Sequence, residues 1–354
     1  MRLTRTSVIV AVIGVVLLVA AAVVRFVVLP SVNKLGSDFS TSQSYQGTYS
    51  GLNPAVLAGN PSGGVLVRNI PAAATRKYAV TSTDGDTAVV AQTVTRAIGG
   101  QDQPTPTAHY AIDRVDFGSV PAPSGATDVV PSKGLIFTLP QHPSTSTTYQ
   151  LWDPTTAAAY PLKYVSTSTV AGRTTYDYRT TASGKIADPA SLGLPVSLPK
   201  AQLTALAPSL AGLLPPAVLT QLSSVLAKLP ASIPLSYTST TTATISADAT
   251  LGSPLKTAST QEVTAQLGPI AALAVPFSTL KLTTTAASSK ATADDTAGTV
   301  SQLNLVGTVL PIALAVLGIV LVVVALLLAR RAAARQPGGP SPAPQQGTST
   351  PTPV

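Results

Sequence analysis

The chain has two histidines, His109 and His142, and no cysteine. His109 falls within AHYAIDRVDF and His142 stands beside Pro143; neither has a second histidine four residues away or a glutamate close in sequence. The helical zinc-hydrolase spacing is therefore missing. The nearest serine-glycine stretch, GNPSGG from Gly59, misses the spacing of a nucleophile elbow, and there is no GxGxxG or phosphate-binding loop. Lack of cysteine removes thiol catalysis, thiolate-held zinc, haem attachment and N-terminal lipidation through sulfur. The sequence assigns no catalytic residue, no cofactor and no metal ligand, and the chain is read as not an enzyme. A hydrolase whose triad is assembled from distant residues is the third-ranked reading.

Two other groups have types and spacing that invite chemistry. Asp84 and Asp86 flank Gly85 and suggest calcium, but a tight hairpin turn asks for the same residues and no further acids complete a coordination shell. Trp152, the only tryptophan, lies near Tyr149, Tyr160 and Tyr164. These form either an aromatic ligand surface or ordinary sheet core.

The elements that must carry these residues follow from composition. Apolar residues make up 45% of the 354 positions and charged residues only 10%. Ser7 to Leu29 and Leu305 to Ala329 are the long apolar runs, roughly 33 Å and 37 Å as helix, enough to cross a bilayer core of about 30 Å. A net charge of +8 would suggest nucleic acid. Arg2, Arg5, Arg25, Arg330, Arg331 and Arg335 flank or sit in the two runs, however, and all acids lie between them, so no nucleic-acid partner is expected.

Basic residues beside membrane ends mark the cytoplasmic side. Both termini are expected inside and the central domain outside the cytoplasm. Arg25, Arg330 and Arg331 are assigned to membrane boundaries, with Arg25 near the outer face and able to reach headgroups. Ala20-Ala21-Ala22 also offers a cleavage site after Ala22, but the apolar run continues to Leu29, which favours an uncleaved anchor.

After Pro30 the chain is rich in Thr, Ser, Ala and Val punctuated by Gly and Pro, which is strand and turn composition. Lys77 to Ala97 reads as a hairpin about Asp84-Gly85, Ala108 to Phe117 as a half-buried strand, and Gly134 to Ala182 as the most strand-like region, beginning with GLIFTLP. ADATLGSPLK, from Ala247, faintly echoes the Asp, Thr and Pro-Leu-Lys order at Asp153, Thr155 and Pro161 to Lys163.

Leu203, Leu206 and Leu210, then Val218, Leu222 and Val225 after Pro215-Pro216, step by three or four and predict two short helices within about 199–230. They form either a helical pair packed on the sheet or an apolar binding surface for a lipid or partner. The expected layout is a cytoplasmic N-terminus at 1–6, a transmembrane helix at 7–29 and an extracytoplasmic β-rich domain at 30–304. A second transmembrane helix at 305–329 and a disordered cytoplasmic tail at 330–354 complete it. The fold class is membrane-anchored α+β, with a mostly antiparallel β domain, a short helical insertion and flanking transmembrane helices.

The exit of helix one through RFVVLPSVNKL, the segment GLIFTLP to TYQLWDPTTAAAYPLKYVSTSTVAGRTTYDY, and a second helix ending in ARR together resemble an actinobacterial membrane-protein family of unknown function. That family carries the label porin PorA. The resemblance implies a channel through the outer lipid layer of the cell envelope and supplies no functional residues. A lipid-embedded barrel needs strands of about ten residues with an apolar exterior, which short Thr-rich strands do not provide. The first reading is therefore an integral membrane protein presenting an envelope domain for binding a lipid or envelope component, or for a structural role. A channel is the alternative. The expected partners are the lipid bilayer and a lipid or cell-envelope ligand.

Overall fold

The computed structural model describes residues 5–53, 64–204, 220, 230–267 and 274–334, and these fall into two compact units, Met1–Ser31 with Gln302–Val354, and Val32–Ser301.

In the first unit α1 (Arg5–Val23) is followed by a π-helical turn (Val24–Val28) and the short α2 (Leu29–Val32). The returning chain contains a second π turn (Leu305–Val309) and α4 (Leu310–Ala334). Both segments are long and apolar enough to cross a membrane, as the composition requires. Ser7, Gly14 and Ala21 are buried on α1, and Pro311, Gly318 and Ala325 on α4. Each series steps by seven, the repeat of a supercoiled pair. The contact is closest at the two glycines, where a Cβ on Gly14 would lie 2.8 Å from the Gly318 carbonyl oxygen, and the reverse also holds. With lipid on the outside there is no hydrophobic drive between such helices, so small residues that let backbones touch supply the packing. The outward faces carry large apolar side chains, with Ile9 59% exposed and Phe26 76%.

Among the described residues the second unit is built on twelve strands and one long helix. The strands are β1 (Ser40–Leu52), β2 (Leu66–Asp84), β3 (Thr87–Ile98), β4 (Gln101–Asp102), β5 (Thr107–Asp113), β6 (Tyr149–Asp153), β7 (Ala158–Val170), β8 (Arg173–Lys185), β9 (Ser197–Pro199), β10 (Ser232–Asp248), β11 (Pro254–Leu267) and β12 (Ala274–Thr284), followed by α3 (Ala286–Asn304). The helix therefore begins well before the apolar run at Leu305. The order across the sheet is β4-β3-β2-β1-β12-β11-β10-β8-β7-β6, with β5 on β3 and β9 on β10, and every ladder is antiparallel.

The sheet does not end in two free edges. Single bridges pair Ile112 of β5 with Ser119, Gly118 with Leu135, and Leu135 with Leu151 of β6. Pairing thus passes from one end of the sheet to the other through two short segments, and the sheet rolls on itself. Side chains from β2, β3 and β5 (Tyr78, Val90, Tyr110) meet those from β7, β8 and β10 (Leu162, Tyr178, Ala247) in one core cluster. A second cluster is formed by Ile186, just past β8, Tyr237 of β10, Val263 and Ala265 of β11 and Phe277 of β12.

Local sequence explains most of the turns. Asp84-Gly85 ends β2 and opens the hairpin to β3, with Gly85 at φ +55°, and Ala171-Gly172 turns β7 into β8 with both residues at positive φ. The faint echo corresponds to a shared device. Asp153 accepts the N–H groups of Thr155 and Thr156, and Asp248 accepts those of Thr250 and Leu251. The Pro-Leu-Lys that follows each aspartate puts a fully buried leucine, Leu162 or Leu255, between a proline and an exposed lysine. GLIFTLP, expected as a strand, forms none: only Leu135 bridges its neighbours, because Gly134 takes φ +75° and Pro140 closes the run.

Candidate functional site

His109, on β5, places Nδ1 2.9 Å from an Asp128 carboxylate oxygen, and His142 sits at φ +50° in a loop with its backbone N–H donated to the Thr250 carbonyl at 2.7 Å. Among the described residues no three histidine, aspartate or glutamate side chains gather as a metal cluster. Asp86 is held by Lys34 at 2.5 Å, and this hydrogen bond and charge keep its carboxyl below the ordinary range. Trp152 is buried in the first core cluster beside Tyr110, with Tyr149 and Tyr164 packed against it. It belongs to the interior, and the aromatic-surface alternative does not describe it.

Of the candidate apolar surface, Leu203 is buried at 1% exposure. Leu206, Leu210, Val218, Leu222 and Val225 lie outside the described residues. Arg330 and Arg331 are exposed at the end of α4. Arg25 lies in the first π turn and donates from Nη1 to the Gly307 carbonyl oxygen in the facing π turn at 3.1 Å. A π turn shifts hydrogen bonding from four residues to five, as Leu29 N–H to Val24 O and Leu310 N–H to Leu305 O show, and Pro311, four residues past Gly307, has no N–H to give that carbonyl. Arg25 uses it instead. A groove of about 530 Å³ beside it is walled by Leu18, Phe26, Pro311 and Ile312.

The inner face of the rolled sheet holds residues that sequence reasoning did not single out. Strand alternation places Gln43, Tyr45 and Tyr49 of β1, Ala72, Ala74, Arg76 and Tyr78 of β2, and Val90, Gln92, Val94 and Arg96 of β3 on that face. Between the two apolar clusters lies a polar layer. Tyr45 Oη donates to Gln43 Oε1 at 2.8 Å, Gln92 Nε2 to Tyr78 Oη at 3.0 Å, and Gln43 Nε2 to the Pro254 carbonyl. The Arg76 guanidinium stands 5.8 Å from the centre of the Tyr45 ring. Its pKa is raised, chiefly by Tyr78, while the Tyr78 phenol is pushed up to about 12 by burial. Register puts Arg96 opposite Ala74 and Arg76 opposite Val94, so the two guanidiniums are diagonal neighbours. In sequence they are two arginines within strand-like runs, and only the pairing register assigns them to the inner face.

The outer face is different. Thr181, Thr242, Thr260, Lys281 and Thr48 form one outward row across five paired strands, and Ser183, Thr240, Glu262 and Thr279 form the next. A second groove, of about 500 Å³, lies on this face and is lined by Arg179, Lys281 and threonines. No apolar belt crosses these rows.

Fold and site together define a protein with two membrane-length helices and a rolled antiparallel β domain that is polar outside. The family model described as Porin PorA matches residues 6–327, and the chain belongs to that family. No curated protein matches the chain.

Proposed function

We propose that this member of the porin PorA family is an envelope membrane protein whose two helices anchor it and whose β domain stays in water outside the cytoplasm, where it binds a lipid or another envelope component. The observation that carries this reading is the outward row of threonine and lysine across the sheet. A barrel embedded in hydrocarbon turns an apolar band about 25 Å tall to lipid, and a lysine or arginine there costs about 2–4 kcal/mol at mid-bilayer. Lys281 and Arg179 on the outward face fit water and not lipid. The arginines at the end of α4 support a cytoplasmic position for that end, and hence an extracytoplasmic domain between the helices.

The channel implied by the family label would need either lipid-facing strands or a polar stripe along the helices. The helix seam is lined by Gly, Ala, Ser and Pro, with backbones in contact at Gly14 and Gly318. Planar-bilayer recording of the purified full chain checks the choice. The expected result is no unitary conductance above protein-free controls, together with envelope lipid found by extraction and mass spectrometry of the same preparation. Stepwise conductance that persists after rigorous purification would establish the channel instead.

A further inference from the structure

We infer that Arg76 and Arg96 form an oxyanion site inside the rolled sheet, built to take the phosphate or carboxylate headgroup of an amphiphile. The Arg96 Nε is buried and has no hydrogen-bond partner among the described residues. An orphaned guanidinium donor in a protein interior is costly unless something not made of this chain completes it. All fourteen acidic side chains of the sequence lie among the described residues, and none forms an ion pair with Arg76 or Arg96. Asp153, whose charge reaches Arg76, already accepts from Thr155 N–H and from the N–H and hydroxyl of Thr156. Two like charges therefore stand on diagonal inner-face positions with no ion-pair partner, Asp153 acting on Arg76 only at a distance, and burial together with Arg76 pushes the Arg96 pKa down.

The surroundings make room for a ligand. Arg76 belongs to the inner face by register yet is exposed, so open space adjoins it. Its nearest inner-face positions are Gln43 and Val94 directly opposite and Ala74 and Tyr78 along β2, and beyond Ala74 the face narrows to the small Ala72 and Gly47. The polar layer is bounded on one side by the cluster of Tyr78, Val90 and Tyr110 and on the other by that of Tyr237, Val263 and Phe277. A headgroup between the guanidiniums would leave its chain against apolar side chains in either direction. Guanidinium forks match the planar or trigonal oxygens of carboxylate and phosphate, and each such hydrogen bond gains strength as water is excluded.

This deepens the binding reading above, and its failure is separable from the failure of that reading: lipid captured with unchanged yield by Arg96→Gln would move the binding site elsewhere while leaving the binding role intact. The experiment is calorimetric titration of the full chain in neutral detergent with octyl phosphate and with inorganic phosphate. Octyl phosphate binding that Arg96→Gln weakens about tenfold or more, with Arg179→Gln on the outer face unchanged, is the expected result. Inorganic phosphate binding with the same dependence on Arg96 supports the site and assigns it to free oxyanions. Ala74→Glu, which sets a carboxylate directly opposite Arg96, is expected to abolish both titrations and raise the melting temperature of the empty protein. Absence of any binding to the unaltered chain, equal binding by Arg96→Gln, or equal binding by Ala74→Glu overturns the proposal.

Discussion

The helix pair and the rolled sheet bury small residues for different reasons and turn opposite surfaces outward. In the helix pair, Gly14 and Gly318 sit at the contact because the backbones touch there, and Val, Ile, Leu and Phe side chains cover the outside. In the sheet, Gly47, Ala72 and Ala74 lie on the inner face beside two arginines, and Thr, Ser and Lys cover the outside. Lipid leaves polar groups nowhere to go except inward, whereas water draws them out. On the proposed reading the two exteriors correspond to two solvents for one chain. Arg25 and Arg96 repeat the lesson at single residues. Arg25 answers a carbonyl that Pro311, four residues on, cannot reach with an N–H, while the Nε of Arg96 has no partner among the described residues.

The comparison can be broken most severely at the two cores. Tyr178→Ala removes a side chain with no exposed surface from the β domain and is expected to cost about 3–5 kcal/mol, read as a lower denaturant midpoint. Helix-pair crosslinking should be untouched by it. Gly318→Leu does the converse. Its Cβ would fall 2.8 Å from the Gly14 carbonyl oxygen, and overpacking of this kind costs about 1–3 kcal/mol. A disulfide engineered between Ser7→Cys and Ala325→Cys should form readily in the parent and lose yield in the Gly318→Leu background, with the β domain's melting unchanged.

A smaller effect concerns pH. Burial alone would raise the Asp248 pKa, but Arg173 Nε at 2.7 Å and the N–H groups of Leu251 and Thr250 hold it below the ordinary carboxyl value. A carboxyl depressed in the folded state contributes stability that is fully present above its unfolded pKa, near 4, and is lost as pH falls through the folded value. Melting temperature should therefore drop from about pH 4 downward, and Asp248→Asn should lower stability at neutral pH while flattening that slope. The smallest effect is expected at Arg179→Gln on the outer sheet face, within about 0.5 kcal/mol, since a solvated charge there has no buried partner.

Much of this architecture was legible in the residues. Two apolar runs of membrane length and the Asp84-Gly85 hairpin each follow from a local pattern, and the structure contains both. The closure of the sheet was hidden because it depends on Leu135, Gly118 and Ser119, single bridging residues in segments without strand periodicity. The interior arginines were hidden for a related reason. Arg76 and Arg96 are informative only once the register assigns them to the inner face, and register is a long-range property that alternation within one strand does not supply.

The central claim, that the β domain lies in water while only the helices meet lipid, has a direct test because the chain contains no cysteine to confuse labelling. Single cysteines at Thr240, Thr242 and Thr260 on the outer sheet face, and at Ile9 and Ile312 on the helices, can carry a nitroxide in reconstituted vesicles. The account predicts that a water-soluble nickel relaxant reaches the three sheet positions far better than the two helix positions, with oxygen showing the reverse. Low nickel and high oxygen accessibility at Thr240, Thr242 and Thr260 would place the sheet in hydrocarbon and contradict it.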